Sequence, residues 1–142
     1  MKIIRKKYLV VINLISLVTL VIVFYPHRLS NYISNSDVAP NECIIGRGDL
    51  AENYTLPKVE TEEILSLMDE TSVRFLGFNK GIVLDTDEHT YNLLLINRSR
   101  ENLTELGSFN FDENGCVYTM KYKYKILGKN EIISMIKRHL NK

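Results

Sequence analysis

Residues Tyr8 to Tyr25 read YLVVINLISLVTLVIVFY, a run without a single charge, interrupted only by Asn13, Ser16 and Thr19. No other segment constrains the chain so strongly. A helix that packs onto a protein core carries a polar face opposite its apolar one, and this run offers none. At about 1.5 Å of rise per residue it would extend roughly 27 Å, close to the hydrocarbon thickness of a bilayer. The expectation is a transmembrane helix, with the lipid bilayer as partner of residues 8–25.

Charge placement assigns that helix a direction. Lys2, Arg5, Lys6 and Lys7 precede it, whereas only Arg28 and a titratable His27 closely follow. Basic residues concentrate on the cytoplasmic side of short membrane segments, so the N-terminus is expected in the cytoplasm and Ser30 onward outside. The expected localisation is the cell membrane, single-pass, as a signal-anchor. A cleaved signal peptide is the rival, but its apolar region usually spans about 7–15 residues and ends at a small-x-small site. Tyr25-Pro26-His27-Arg28 is a poor cleavage context, and Ser34-Asn35-Ser36 lies far from the apolar end. Both readings export the rest of the chain.

At 142 residues the chain has room for one folded domain. All 17 Asp and Glu fall from Asp37 onward, where they outnumber the Lys and Arg, so the net +1 hides an acidic folded part. That balance excludes nucleic acid as a partner, because phosphate backbones demand a basic stripe. The boundaries expected are a basic cytoplasmic segment at 1–7, the anchor at 8–25, a Ser- and Asn-rich tether at 26–42, and an extracytoplasmic domain at 43–142.

Export changes how the two cysteines read. Outside the cytoplasm, Cys43 and Cys116 would close a loop for which chain entropy suggests ~4 kcal/mol. The other reading keeps two free cysteines, each buried in its own strand. The disulfide is preferred, and spacing this wide excludes a metal or thioredoxin-type motif.

Within 43–142 the pattern alternates between periods. Cys43 to Gly46 suggests a short strand, followed by an irregular stretch through Pro57. A helix is expected from Thr61, an N-cap residue with Glu62 and Glu63 behind it, carrying Ile64, Leu65, Leu67 and Met68 as its stripe and ending near Thr71. Val73 to Phe78 reads as a strand, with Asn79-Lys80-Gly81 turning into Ile82-Val83-Leu84. Tyr91 to Ile96 reads as a strand covered on both faces, and Asn97 to Thr104 as a charged loop. Asn114-Gly115 predicts a type I′ hairpin that sets Phe111 opposite Tyr118 and Phe109 opposite Met120. Cys116 to Ile126 then alternates as one long strand, with Tyr118, Met120, Tyr122 and Tyr124 on one face and Lys121, Lys123 and Lys125 on the other. A last amphipathic helix runs from about Asn130 to Leu140, with basic residues in its final turn. Helix, strands, helix gives an α+β domain: an antiparallel sheet with two amphipathic helices packed on one face.

The segments Glu62 to Met68, Tyr124-Lys125-Ile126 and Glu131 to Leu140 carry a resemblance. From Cys43 onward the chain resembles small, membrane-anchored, uncharacterised extracytoplasmic domains of Gram-positive bacteria, which place such stretches in the same order. The resemblance implies an α+β fold and transfers no functional residue.

Chemistry-bearing clusters are sparse. Asp85, Asp87, Glu88 and His89 lack the Gly and the terminal acid that a calcium loop needs at its sixth and twelfth positions, so they read as a polar turn and not as a metal site. Arg47-Gly48-Asp49 and the sequons at Asn53, Asn97 and Asn102 are short enough to arise from composition. The three histidines, His27, His89 and His139, sit in no nucleophile or metal motif, so no catalytic residue, metal or cofactor is expected. Lys121, Lys123 and Lys125 remain as a candidate interaction face. The expectation is therefore a non-enzymatic, membrane-anchored extracytoplasmic binding module whose partner is an exported or wall-associated protein. The alternatives are an immunity-type inhibitor of an envelope-acting toxin and an envelope-polymer hydrolase using paired carboxylates.

Overall fold

The computed structural model describes residues 2–34, 38–48, 52–79, 90–99 and 102–141. The order of elements is α1 (Lys2–Phe24), β1 (His27–Arg28), a 3-10 turn (Leu29–Tyr32), β2 (Glu42–Arg47), β3 (Glu52–Leu56), α2 (Lys58–Glu70), β4 (Ser72–Phe78), β5 (Thr90–Arg98), β6 (Leu103–Asp112), β7 (Cys116–Tyr118), β8 (Tyr122–Leu127) and α3 (Glu131–Leu140). The strands form one antiparallel sheet in the order β1-β4-β8-β7-β6-β5-β2-β3. The fold is mixed α+β.

The core lies on one face of this sheet. Cys43 and Ile45 of β2, Leu93 and Leu95 of β5, Phe109 and Phe111 of β6, Val117 of β7, Tyr124 and Ile126 of β8 and Val73 of β4 are all buried. Against them pack Ile64 and Met68 of α2 and Ile132, Ile133, Met135 and Ile136 of α3. Asn130 caps α3, its side chain accepting from the Ile133 amide at 3.2 Å. β5 was expected to be covered on both faces, but Tyr91, Leu93 and Leu95 are buried while Asn92 and Leu94 are only half-buried.

A bulge in the β5–β6 ladder leaves Leu106 without a partner between Gly107, opposite Leu95, and Glu105, opposite Ile96. The carbonyl of Leu106 is used from outside the sheet: the Ser34 amide donates to it at 2.6 Å. Nearby, the Asn41 side chain donates to the Arg98 carbonyl at 2.9 Å and accepts from its amide at 2.8 Å, and Arg98 pairs with Glu42 through Nε at 3.0 Å. Residues 26–42 were expected to be a tether. The described part of this segment instead joins the domain, since β1 pairs with β4, Leu29 is fully buried and Tyr32 and Ile33 pack on the core.

Three expectations about the N-terminal segment are corrected. Among the described residues, no helix is long and apolar enough to cross a membrane. α1 ends at Phe24 and Tyr25 bends away. The uncharged part of the helix, Tyr8–Phe24, therefore spans about 25 Å at ~1.5 Å per residue, whereas crossing the hydrocarbon core takes about 30 Å and ~20 apolar residues. The transmembrane anchor at 8–25 is thus overturned. With it go the single-pass cell-membrane localisation and the inside/outside assignment, which followed from a crossing helix alone.

The disulfide is also overturned. Cys43 and Cys116 are both free and buried. The reason is topological: β6 and β5 lie between β7 and β2. Three interstrand steps of about 4.8 Å separate the two cysteines by roughly 14 Å, more than twice the ~5.5–6 Å that a disulfide tolerates between Cα atoms. Sequence separation gave no sign of this.

Two local boundaries differ as well. α2 starts at Lys58 behind Pro57, not at Thr61, whose buried hydroxyl reaches the Leu56 carbonyl at 3.4 Å. Pro fixes its own φ and can open a helix without losing a needed amide. The stretch before Pro57, expected to be irregular, contains β3, paired along β2.

Candidate functional site

The long strand expected from Cys116 to Ile126 is two strands. β7 stops at Tyr118, Thr119 to Lys121 turn, and β8 returns alongside. The turn is closed by the Thr119 amide donating to the Tyr122 carbonyl at 2.9 Å and the Tyr122 amide donating to Thr119 Oγ1 at 3.2 Å. Threonine hydroxyls compete with ladder hydrogen bonds in this way. The break flips the faces: Val117 is buried opposite Tyr124, while Cys116 and Tyr118 share a face with Lys125 and Lys123.

The preceding hairpin is also shifted by one residue. The Gly115 amide donates to the Asp112 carbonyl at 3.1 Å, so Glu113 and Asn114 are the central pair and Gly115, at φ 74°, follows them. Phe111 therefore faces Val117, and Asn110 faces Tyr118. Glycine is needed one position after the tip, where a side chain would be strained.

These registers assemble a polar cluster on the sheet face away from the helices. The Asp112 carboxylate accepts from the Cys116 amide at 2.8 Å and from the Tyr118 hydroxyl at 2.9 Å. Lys123 Nζ stands 4.9 Å over the Tyr118 ring. Hydrogen bonding to Tyr118 is the main reason the Lys123 ammonium holds its proton above the ordinary lysine range. Burial raises the Tyr118 phenol. Burial, then the Asp112 charge, raises the Cys116 thiol, which disfavours the thiolate that a nucleophile requires. Cys43, deeper in the core, is pushed up to about 12 by burial.

The candidate face of Lys121, Lys123 and Lys125 is not a uniform ladder. Lys121 lies in the turn and is exposed, Lys123 is held over Tyr118, and the Lys125 ammonium donates to the Asn114 carbonyl. Arg74 of β4, opposite Lys125 in the ladder and exposed, extends this basic region across the strand pair. The alternation in β8 exposed the two lysines to sequence reading, whereas Arg74 depended on knowing which strand lies beside β8.

At the same end of the sheet, on the other face, aromatic rings gather. Phe75 contacts Tyr122 at 5.9 Å, Tyr124 at 6.0 Å and Phe78 at 6.0 Å between centroids, and Tyr124 packs on Tyr32 at 4.4 Å. Burial and the neighbouring Tyr32 raise the Tyr124 phenol. Phe24, the last residue of α1, meets Phe75 at 6.3 Å. A bulge at Leu76 creates the cluster. Phe75 stands opposite Tyr124 and Phe78 opposite Tyr122, so the one extra residue puts Phe75 and Phe78 on the same face. Gly77 at φ 149° provides the backbone for it. In an unbulged strand Phe75 and Phe78 would fall on opposite faces, so their cluster is hidden in the sequence. Gly77 was the one available signal.

A third grouping joins the helices. His139 Nε2 of α3 is 3.9 Å from Glu60 Oε1 of α2, with Tyr54 of β3 stacked on the imidazole at 6.1 Å. Among the described residues, no group of three or more His, Cys, Asp or Glu side chains is placed to hold a metal ion. Asp85, Asp87, Glu88 and His89 lie outside the described residues, as does Asp49 of the Arg47-Gly48-Asp49 tripeptide. No protein-family model, curated protein or solved structure matches the chain.

Proposed function

We propose that this chain is a non-catalytic interaction module in which α1 contacts lipid and the α+β domain presents the basic end of its open sheet face to an acidic protein surface. One observation carries the lipid reading. Every residue from Tyr8 to Phe24 is exposed around the whole circumference of α1, and all but Asn13, Ser16 and Thr19 are apolar. Without a polar face, the helix offers apolar surface to acyl chains whichever side it turns toward a bilayer. An apolar surface of this extent is not left in water without a partner. Contact of this kind does not require the helix to cross a bilayer.

The protein-binding reading is supported by Arg74 and Lys125, paired across the β4–β8 ladder, and by the polar cluster beside them. There the reactive groups are tied to one another: both Asp112 oxygens are occupied and the Cys116 thiol is held protonated. Such a cluster fixes the strand faces and leaves the flanking cations to a partner.

Density-gradient flotation of the full chain with phospholipid vesicles tests the lipid contact. Co-flotation is expected, with loss when Leu14, Leu17 and Val21 are changed to Ser. Recovery of the full chain at the bottom of the gradient would refute it.

A further inference from the structure

The aromatic cluster around Phe75 is larger than the fold needs. Phe78 and Met120 are each 74% exposed and Tyr122, opposite Phe78, is also exposed, while the Asn79 amide donating to the Lys121 carbonyl at 2.8 Å holds the Met120 turn beside the end of β4. Phe78 reaches this position only because β4 bulges at Leu76, over a glycine in a conformation that side chains rarely adopt. A bulge re-aims side chains, and here it brings a large apolar ring to the surface instead of into the core. Core packing does not explain that outcome, because Phe75 and Tyr124 already close the cluster against the helices.

From this geometry we infer that Phe78, Tyr122 and Met120 form a second lipid contact, seating the β4–β8 end of the domain on an anionic phospholipid surface. The inference rests on the lipid reading of α1 and extends it to the folded domain. Three features select lipid as the occupant. The cluster is continuous with the end of α1 through Phe24 on Phe75, so a surface that covers one reaches the other. Its members are Phe, Tyr and Met, apolar bodies with a phenol at the rim, the chemistry enriched where hydrocarbon meets headgroups. Lys121 is exposed next to Met120 in the same turn, where an ammonium would meet anionic headgroups.

The chain contains no tryptophan, so a single Phe78→Trp substitution reports on this surface alone. Full-length Phe78→Trp protein is mixed with vesicles of phosphatidylcholine and phosphatidylglycerol, with brominated phosphatidylcholine as quencher. Val59→Trp serves as control, because Val59 is exposed on the first turn of α2, directly after the end of β3, which is the strand at the opposite edge of the sheet from β1 and β4. With vesicles, Phe78→Trp and Met120→Trp emission is expected to move to shorter wavelength and lose more than half its intensity to the brominated lipid. The control is expected to stay water-like. Lys121→Gln is expected to weaken partitioning into anionic vesicles roughly fivefold and to leave neutral vesicles unaffected.

Flotation with unshifted Phe78→Trp emission would overturn the second contact and leave the α1 contact standing. Absence of flotation would remove both. A shift that grows with protein concentration without vesicles would assign the patch to a second copy of the chain and overturn the lipid occupant.

Discussion

Leu29 offers the sharpest test of how this chain folds. It follows α1 and β1 directly, has no exposed surface, and is fastened by its amide donating to the Thr71 carbonyl at 2.8 Å. Leu29→Ala removes three carbons from a site packed against α2 and the sheet. At about 0.8 kcal/mol per buried methylene the transfer loss is roughly 2.4 kcal/mol, and the residual cavity brings the total to about 3–5 kcal/mol. Urea denaturation of the full chain, followed by far-ultraviolet circular dichroism, gives the readout. With a slope of about 1–3 kcal/mol per molar, the midpoint should fall by at least ~1 M. Arg28→Ala is the neighbouring control. Its pair with Asp69, 2.7 Å apart, joins two side chains that are both more than half exposed, so its loss should cost no more than about 1 kcal/mol. If Leu29→Ala costs less than about 0.5 kcal/mol, the size of an ordinary surface change, residues 26–34 are a loose connector after all.

Gly107→Ala would place a Cβ 2.7 Å from Cε2 of the buried Phe109 ring, so about 1–3 kcal/mol of destabilisation is expected, relieved in the double variant with Phe109→Leu; equal loss in single and double variants would show that the ring is not the obstacle. Reductant should leave the unfolding midpoint unchanged, because the cysteines are unbridged; a drop worth ~4 kcal/mol would reveal a bond between them. Stability should also decline at alkaline pH. Below about pH 9 both states hold the Cys43 proton, and above it the unfolded chain releases a proton that the folded thiol keeps until about 12, so that contribution is lost as pH rises through this window. Cys43→Ala should flatten that part of the profile, and an unchanged pH slope would contradict it.

What the sequence determined alone was local. The α3 stripe of Ile132, Ile133, Met135 and Ile136, with Asn130 ahead of it, defines a helix because side chains at helical spacing share a face whatever the helix packs on. The strand character of β4, β5 and β8 follows likewise from β-branched and aromatic runs, and the uncharged run of α1 from its composition. The tertiary structure decided everything that depends on which elements are neighbours. It separated Cys43 from Cys116 by two strands, broke the alternating Cys116–Ile126 segment into a hairpin through the Thr119 hydroxyl, and drew Leu29 into the core. It also turned Phe78 onto the face of Phe75 through one extra residue. Periodicity records the faces of a single element. Register shifts, bulges and strand order come from ladder hydrogen bonds and packing between distant segments, and a one-residue slip there exchanges the faces that alternation assigns.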